Sequence, residues 1–337
     1  NRIRKLFFSI SKMEKNNLRI LFMGTPEFAV ESLRALVENG YNVVGVITMP
    51  DKPAGRGYKL QPSAVKQYAV QQGLKVLQPE KLKDEKFLAE LQQMEVDLQV
   101  VVAFRMLPEV VWAMPPRGTF NLHASLLPQY RGAAPINWAL INGEKETGVT
   151  TFFLSHEIDT GQIIFREKTA IEEGDNAGTL HDRLMEMGAK LVLKTVDAII
   201  NESLVPIPQQ ELISPNSLLK PAPKLHKDTC QVNWDQTAVE VFNFIRGLSP
   251  YPTAWSEMRV DDGSEPLRFK WYASEVVADK NITLTPGTLV TDHKSFIHIA
   301  TKDGFVRITD IQLSGKKRME TTEFLRGYTF PEKVIFS

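Results

Sequence analysis

Asn121, His123 and Asp159 are the side chains of this 337-residue chain whose types and spacing best suit chemistry. Asn121 and His123 stand two apart in the run Thr119-Phe120-Asn121-Leu122-His123. On an extended strand that spacing puts both on one face, and Ser125 continues the face as the strand gives way to Leu126-Leu127-Pro128. Asp159 follows later in Ile158-Asp159-Thr160-Gly161, a sequence suited to a tight turn. An amide donates hydrogen bonds without changing charge, an imidazole moves protons near neutrality, and a neighbouring carboxylate stabilises an imidazolium. Taken singly each has a plainer reading. A strand histidine fits a satisfied core residue, Asn121 fits a loop anchor, and Asp159 fits ordinary turn chemistry.

The elements around these residues place them at a sheet edge. Residues 18–24 form a short apolar run ending in glycine, as in a buried parallel strand. Thr25-Pro26 reads as an N-cap followed by proline in the first turn of a helix over 27–38, which Asn39-Gly40 closes. A strand over 43–48, a helix over 63–72, a strand over 75–77, a helix over 85–93 and a strand over 98–104 continue the alternation. This pattern predicts the α/β class, with an open, mostly parallel Rossmann-like sheet. Such sheets bind ligands beyond the carboxyl ends of their strands, here the loops after Gly24, Thr48, Phe104 and the strand near Asn121.

After Gly148 two strands are expected at 149–154 and 162–168, joined by the Asp159 turn, and then a long helix over 180–200. A helix over 238–247 precedes short strands at 253–259, 267–272, 287–290, 296–300 and 305–313, the spacing of a smaller β-barrel of the oligonucleotide-binding (OB-like) type. The expected domains are an N-terminal extension over 1–16, disordered or foreign to the natural chain with Met13 as its start, and a catalytic domain over 17–205. A linker rich in proline, serine and glutamine follows over 206–222, and a C-terminal domain over 223–337.

Composition narrows the function classes. The 40 basic and 40 acidic residues cancel, so no global field steers the chain toward nucleic acid or anionic lipid, and any RNA contact must come from local patches. One cysteine, Cys230, excludes an intramolecular disulfide and a multi-cysteine zinc site, and points to a reducing, cytoplasmic setting. The six histidines lack the spacing of a helix-borne metal pair, so no metal is expected. No apolar run is long enough to span a bilayer, and the basic opening segment is too short in apolar residues for a signal peptide.

The string Asn121-x-His123-x-Ser125-Leu126-Leu127-Pro128, then Tyr130-Arg131-Gly132 and Ala134-Pro135, then Ile158-Asp159-Thr160-Gly161, resembles the folate-dependent formyltransferases. The resemblance runs from about Leu18 almost to the C-terminus. It implies 10-formyltetrahydrofolate as the formyl donor, a co-substrate, and catalysis without metal. An acceptor amine attacks the formyl carbon, and Asn121 and protonated His123 donate to the oxygen on which charge develops. His123 then passes a proton to the departing folate nitrogen, while Asp159 supports the ring and orients a water that collects the amine's proton. The same resemblance places the folate beside Ser125, Leu126, Leu127 and Pro128 and beside Phe104, Met106 and Leu107. Arg105 occupies a position where many members carry a small residue.

Two further features bear on the acceptor. Residues 49–61 (MPDKPAGRGYKLQ) form a basic segment rich in proline and glycine, read as a flexible loop. It is similar to an inserted loop of the tRNA-formylating members, which implies Arg56 as the main contact, assisted by Lys52 and Lys59. The C-terminal segments Lys224-Leu225-His226-Lys227-Asp228, Pro250-Tyr251-Pro252 and Gly315-Lys316-Lys317 resemble the second domain of the same members. A basic face is expected around Lys220, Lys224, Lys227, Lys316, Lys317 and Arg318. The acceptor so implied is the α-amino group of methionine on initiator tRNA, served by a monomer. Other folate-dependent formyl transfers, hydrolysis of formyltetrahydrofolate and a non-catalytic RNA-binding role stand as alternatives. A dinucleotide-dependent dehydrogenase is disfavoured, because Gly24-Thr25-Pro26-Glu27-Phe28-Ala29 lacks the G-x-G-x-x-G turn.

Overall fold

The structure, a computed structural model, describes residues 15–259 and 262–337. The expectation about residues 1–12 and a start at Met13 lies outside the described residues. Along the first part of the chain run β1 (Ile20–Gly24), α1 (Glu27–Glu38), β2 (Val43–Ile47), β3 (Lys52–Ala54), β4 (Lys59–Gln61), α2 (Ala64–Gln71), β5 (Val76–Leu77) and α3 (Glu85–Gln93). There follow β6 (Leu98–Val102), α4 (Glu109–Trp112), β7 (Thr119–His123), α5 (Pro135–Ile141), β8 (Glu146–Phe153), β9 (Ile163–Ala170) and α6 (Ala177–Ile200).

Seven of these strands form one sheet in the order β5-β2-β1-β6-β7-β8-β9. The first five run parallel, with the order reversing between β1 and β6, while β8 turns antiparallel to β7. This is the open, mostly parallel sheet that the strand–helix alternation predicts. β1 and β6 are buried along their whole length, as strands covered on both faces must be. Leu21, Met23, Ile47 and Val101 pack on one face with Phe87 and Leu91 of α3. On β7 the apolar Leu122 faces α6, where Gly188 permits the approach: a Cβ there would stand 2.6 Å from Leu122 Cδ2. The opposite face of β7 is left to Asn121 and His123.

Two local expectations are corrected. Thr25 does not cap α1. The N-cap position falls on Pro26, which makes no side-chain cap, and Thr25 Oγ1 instead accepts from Met49 N at 3.3 Å. The 49–61 loop is not irregular, because β3 and β4 pair as an antiparallel hairpin with Lys52 opposite Gln61 and Ala54 opposite Lys59.

The later part of the chain carries α7 (Ala238–Leu248), β10 (Ala254–Met258), β11 (Leu267–Ala278), β12 (Leu289–Thr291), β13 (Ile297–Ala300), β14 (Gly304–Leu313), β15 (Met319–Glu320) and α8 (Thr321–Gly327). Its strands pair antiparallel along β10-β11-β14-β13-β12, with β15 on β14. The expected strands are present and antiparallel, with β11 of 12 residues and β14 of 10 longer than the short strands expected, and closure of β10 onto β12 into a barrel is not among the pairings of the described residues. Their core is aromatic: Phe269 stacks on Trp271 at 5.7 Å between centroids and meets Phe336 edge-on at 5.4 Å.

The chain divides into two compact units, residues 1–128, 149–167 and 184–217 in one and 129–148, 168–183 and 218–337 in the other. Within the second, Asn137 Nδ2 of α5 donates to Gly247 O of α7 at 2.8 Å. A Cβ on Gly247 would meet Ile141 at 2.7 Å, so glycine sets how closely these two helices pack. A buried polar anchor of this unit is Asp175, only 4% exposed. Its carboxylate accepts both Nη atoms of Arg183 at 2.8 Å, Glu172 N at 2.8 Å and Thr179 Oγ1 at 2.9 Å. Burial pushes this carboxyl up, but the Arg183 guanidinium and the other donors outweigh it and hold the group below the ordinary carboxylate range.

A carboxyl depressed in the folded state stabilises the fold above its unfolded value of about 4 and loses that contribution as pH falls below it toward the depressed folded value. Asp175→Asn should therefore cost about 2–3 kcal/mol in urea unfolding at pH 7, with the gap between parent and variant closing as pH falls below about 4. A gap independent of pH would assign the loss to packing instead.

Candidate active site

His123 ends β7 at the carboxyl edge of the sheet and is 7% exposed. Its Nδ1 lies 3.9 Å from Asp159 Oδ2, and the two side chains are 8% and 11% exposed. That separation is too long for a direct hydrogen bond and short enough for a charge contact when the ring is protonated. The ring also meets Phe152 of β8 edge-on, 6.4 Å between centroids at 82°. Across the β7–β8 ladder Asn121 is opposite Phe152 and His123 opposite Thr150. Strand alternation puts Asn121, half-buried, on the His123 face. The structure thus brings His123 and Asp159 together and sets Asn121 beside them.

Asp159 adopts φ 56°, the left-handed region that non-glycine residues enter at a cost of about 1 kcal/mol or more. The turn is fixed from within and from below. Thr160 Oγ1 donates to Glu157 O at 3.0 Å, and Phe153 N donates to Gln162 O at 3.0 Å. A Cβ on Gly161 would fall 1.6 Å from Phe153 O, so no side chain fits there. Ala103, directly after β6, also has a positive φ of 49°. Such backbone outliers collect where a chain presents groups to a ligand.

Thr150 holds the segment after His123, a role that its residue type alone does not announce. Its hydroxyl donates to Ser125 O at 2.6 Å and accepts from Leu127 N at 3.2 Å. Arg166 Nη1 donates to Leu127 O at 3.2 Å. These bonds satisfy the buried backbone of the loop that the resemblance assigns to folate. Ser125 and Leu127 are fully buried and Pro128 is buried, while Leu126 is half-buried. In the neighbouring segment Leu107 is buried, Phe104 half-buried and Met106 70% exposed. Arg105 turns to backbone: Nη1 donates to Glu80 O at 2.8 Å and Nη2 to Pro79 O, with the guanidinium near the Phe104 ring. A cavity of about 460 Å³ opens on this side, lined by Leu77, Gln78, Pro79, Glu80 and Phe87. None of the trio lines it, so the chemistry is located by side-chain geometry and not by cavity size.

The basic residues split. Lys52, Arg56 and Lys59 are exposed along the hairpin, with Tyr58 83% exposed beside them. Gly55 and Gly57, at φ 70° and 96°, make its turn possible. The base of the hairpin is anchored by Asp51, which accepts from Lys66 Nζ at 2.8 Å and Gln78 Nε2 at 2.7 Å. The Lys66 ammonium and the Gln78 amide hold the Asp51 carboxyl below its ordinary range. Lys224, Lys227, Lys316 and Lys317 are exposed. Two members of the expected basic face are neutralised: Lys220 pairs with Glu144 at 2.5 Å and Arg318 with Asp310 at 2.6 Å. Among the described residues no three His, Cys, Asp or Glu side chains converge as metal ligands, and no helix is long and apolar enough to cross a membrane.

Comparison with known proteins identifies the family. The formyl transferase family model matches residues 18–196, and the formyl transferase C-terminal domain model matches residues 224–329. A methionyl-tRNA formyltransferase of Parabacteroides distasonis is 62% identical over 94% of this chain and 97% of its own length. One from Bacteroides thetaiotaomicron is 59% identical over 94% and 97%. Among solved structures, WlaRD, a sugar 3N-formyl transferase determined in the presence of dTDP and 5-N-formyl-THF, superposes with a TM-score of 0.60 at 22% identity. The match covers 89% of this chain and 99% of that one. The WlaRD likeness establishes the fold alone, whereas the family matches and the two relatives reach further: the chain belongs to the formyl transferase family.

Proposed function

We propose that this chain transfers the formyl group of 10-formyltetrahydrofolate to the α-amino group of methionine carried by initiator tRNA. The observation that carries the reading is the approach of Asp159 to His123 at the end of β7, with Asn121 on the same strand face. The relatives' printed names supply the tRNA acceptor, and the 5-N-formyl-THF named for WlaRD supports a folate donor.

The chemistry follows from these groups. The neutral amine forms a bond to the formyl carbon, and the carbonyl π electrons move onto oxygen. The Asn121 amide and the His123 N–H donate to that oxyanion, and such donors act most strongly in a site already organised around them. As the tetrahedral centre collapses, the bond from carbon to folate N10 breaks and N10 takes a proton from the imidazolium. The proton released by the amine leaves through a water held by Asp159. An α-amino group titrates near ~8, so a useful fraction is neutral at physiological pH. Phe152 and the sheet exclude bulk water from one side of the ring.

The exposed hairpin with Arg56 at its turn supports entry of a charged acceptor end, since arginine recognises phosphate and base edges in a fork that lysine cannot copy. The C-terminal unit, with Lys224, Lys227, Lys316 and Lys317 exposed, is the proposed RNA-binding domain. Its buried cysteine, Cys230, suits a reducing cytoplasm, in which we place the chain as a monomer.

Purified chain should form formylmethionyl-tRNA only when the formylated folate is present. Formylation of a sugar nucleotide, or hydrolysis alone, would move the acceptor assignment. His123→Ala and Asp159→Ala should each lower kcat by on the order of a hundredfold or more, about 3 kcal/mol of barrier, while folate binding persists. Unchanged turnover would remove that residue from the mechanism. Arg56→Ala should weaken tRNA binding and flatten its salt dependence, leaving the KM for folate unchanged. A variant that keeps the parental salt slope would place Arg56 outside the interface.

A further inference from the structure

The turn that carries Asp159 is held by a residue that takes no part in the bond-making and bond-breaking steps. Gln209 opens a short 3-10 turn over Gln209–Leu212 and is fully buried. Its Nε2 donates to Asp159 O at 2.8 Å and to Gly161 O at 2.8 Å. A primary amide has two N–H bonds on one nitrogen, so it can satisfy two converging carbonyls at once. The segment before it is registered on the start of β9, just past that turn, by paired backbone bonds, Ile163 N to Ile207 O at 2.9 Å and Ile207 N to Ile163 O at 2.8 Å.

We propose that Gln209 is a positioning residue for the proposed formyl transfer, holding the Asp159–Gly161 backbone so that the carboxylate stays beside His123. Three observations converge on this role. Asp159 occupies a left-handed conformation, which costs about 1 kcal/mol and which the bonds to the Asp159 and Gly161 carbonyls help to offset. Gly161 is pressed onto Phe153 O, so the turn cannot yield toward β8. The partner must also be an amide. A glutamate would set a carboxylate against two carbonyl oxygens, and an apolar side chain would leave both carbonyls unsatisfied in the interior. Gln209 touches neither reacting atom, and its effect passes through the placement of Asp159. The inference rests on the formyl-transfer reading for its kinetic consequence but not for its geometry.

Gln209→Met keeps the length of the side chain and removes both donors. In the full-length protein kcat per folate-binding molecule should fall about ten- to a hundredfold, with KM for each substrate within about twofold of the parent. A crystal structure of the variant should show the His123–Asp159 separation lengthened by about 1 Å. Gln209→Asn retains the amide on a shorter arm and should give an intermediate loss, so it supplies the same comparison if the methionine variant does not fold. A merely structural role would lower the folded fraction and leave both kcat per folded molecule and the separation at parental values; either unchanged value overturns the proposal. Should the parent form no formylmethionyl-tRNA, the functional reading fails, while the crystallographic separation still decides the role of Gln209.

Discussion

Everything in the site depends on a carboxylate and an imidazole, distant in sequence, being kept at 3.9 Å with little water around them. Neither partner is placed by local propensity alone. His123 is set by the β7–β8 ladder and by the Phe152 edge, and Asp159 by a turn whose left-handed backbone costs an L-residue about 1 kcal/mol. A pair at this distance gains strength from poor solvation and loses it quickly with rotation of the turn. The surrounding contacts are best understood as restraints on that one distance. Gly161 allows the turn to lie against Phe153 O, and Thr150 and Arg166 secure the segment that leaves His123.

The sheet does the coarse positioning. Five parallel strands deliver their carboxyl ends to one edge, where backbone polarity is free to serve a ligand. The antiparallel β8 then supplies the wall beside His123, which a further parallel strand would have left to a crossover connection. Apolar packing of Leu122 against Gly188 commits one face of β7 to the core, and strand alternation assigns the other to Asn121 and His123. Fold and chemistry are thus linked through the period of a single strand.

Much of this arrangement is legible in the residues. The helix over 27–38 appears with both ends as expected, because Asn39-Gly40 is a strong stop and the apolar spacing before it is regular. The helix over 85–93 is equally plain, with Asp84 capping it through Phe87 N. What escaped has physical causes. The hairpin of β3 and β4 uses strands of three residues among prolines and glycines, too short to show alternation. The short helices α4, α5 and α8 are set by tertiary packing, since four to seven residues hold little intrinsic helical stability. Thr25 has the chemistry of a cap but serves Met49 instead, and nothing near Arg105 in the sequence signals the Pro79 and Glu80 carbonyls that engage it. Within the site, resemblance to the family string singles out the trio, and the structure brings two of its members, His123 and Asp159, together. Thr150 and Gln209 are not legible, since a strand threonine and a glutamine in a proline-rich stretch become meaningful only through contacts with residues far along the chain.

The central claim is that Asn121, His123 and Asp159 surround one reacting carbonyl. A crystal structure of the chain with a stable formylated folate tests it most directly. The account predicts the formyl oxygen within hydrogen-bond reach of both the Asn121 amide and the His123 ring, with the Asp159 carboxylate on the far side of the imidazole. A formyl group bound elsewhere on the sheet edge, contacting neither Asn121 nor His123, would contradict it.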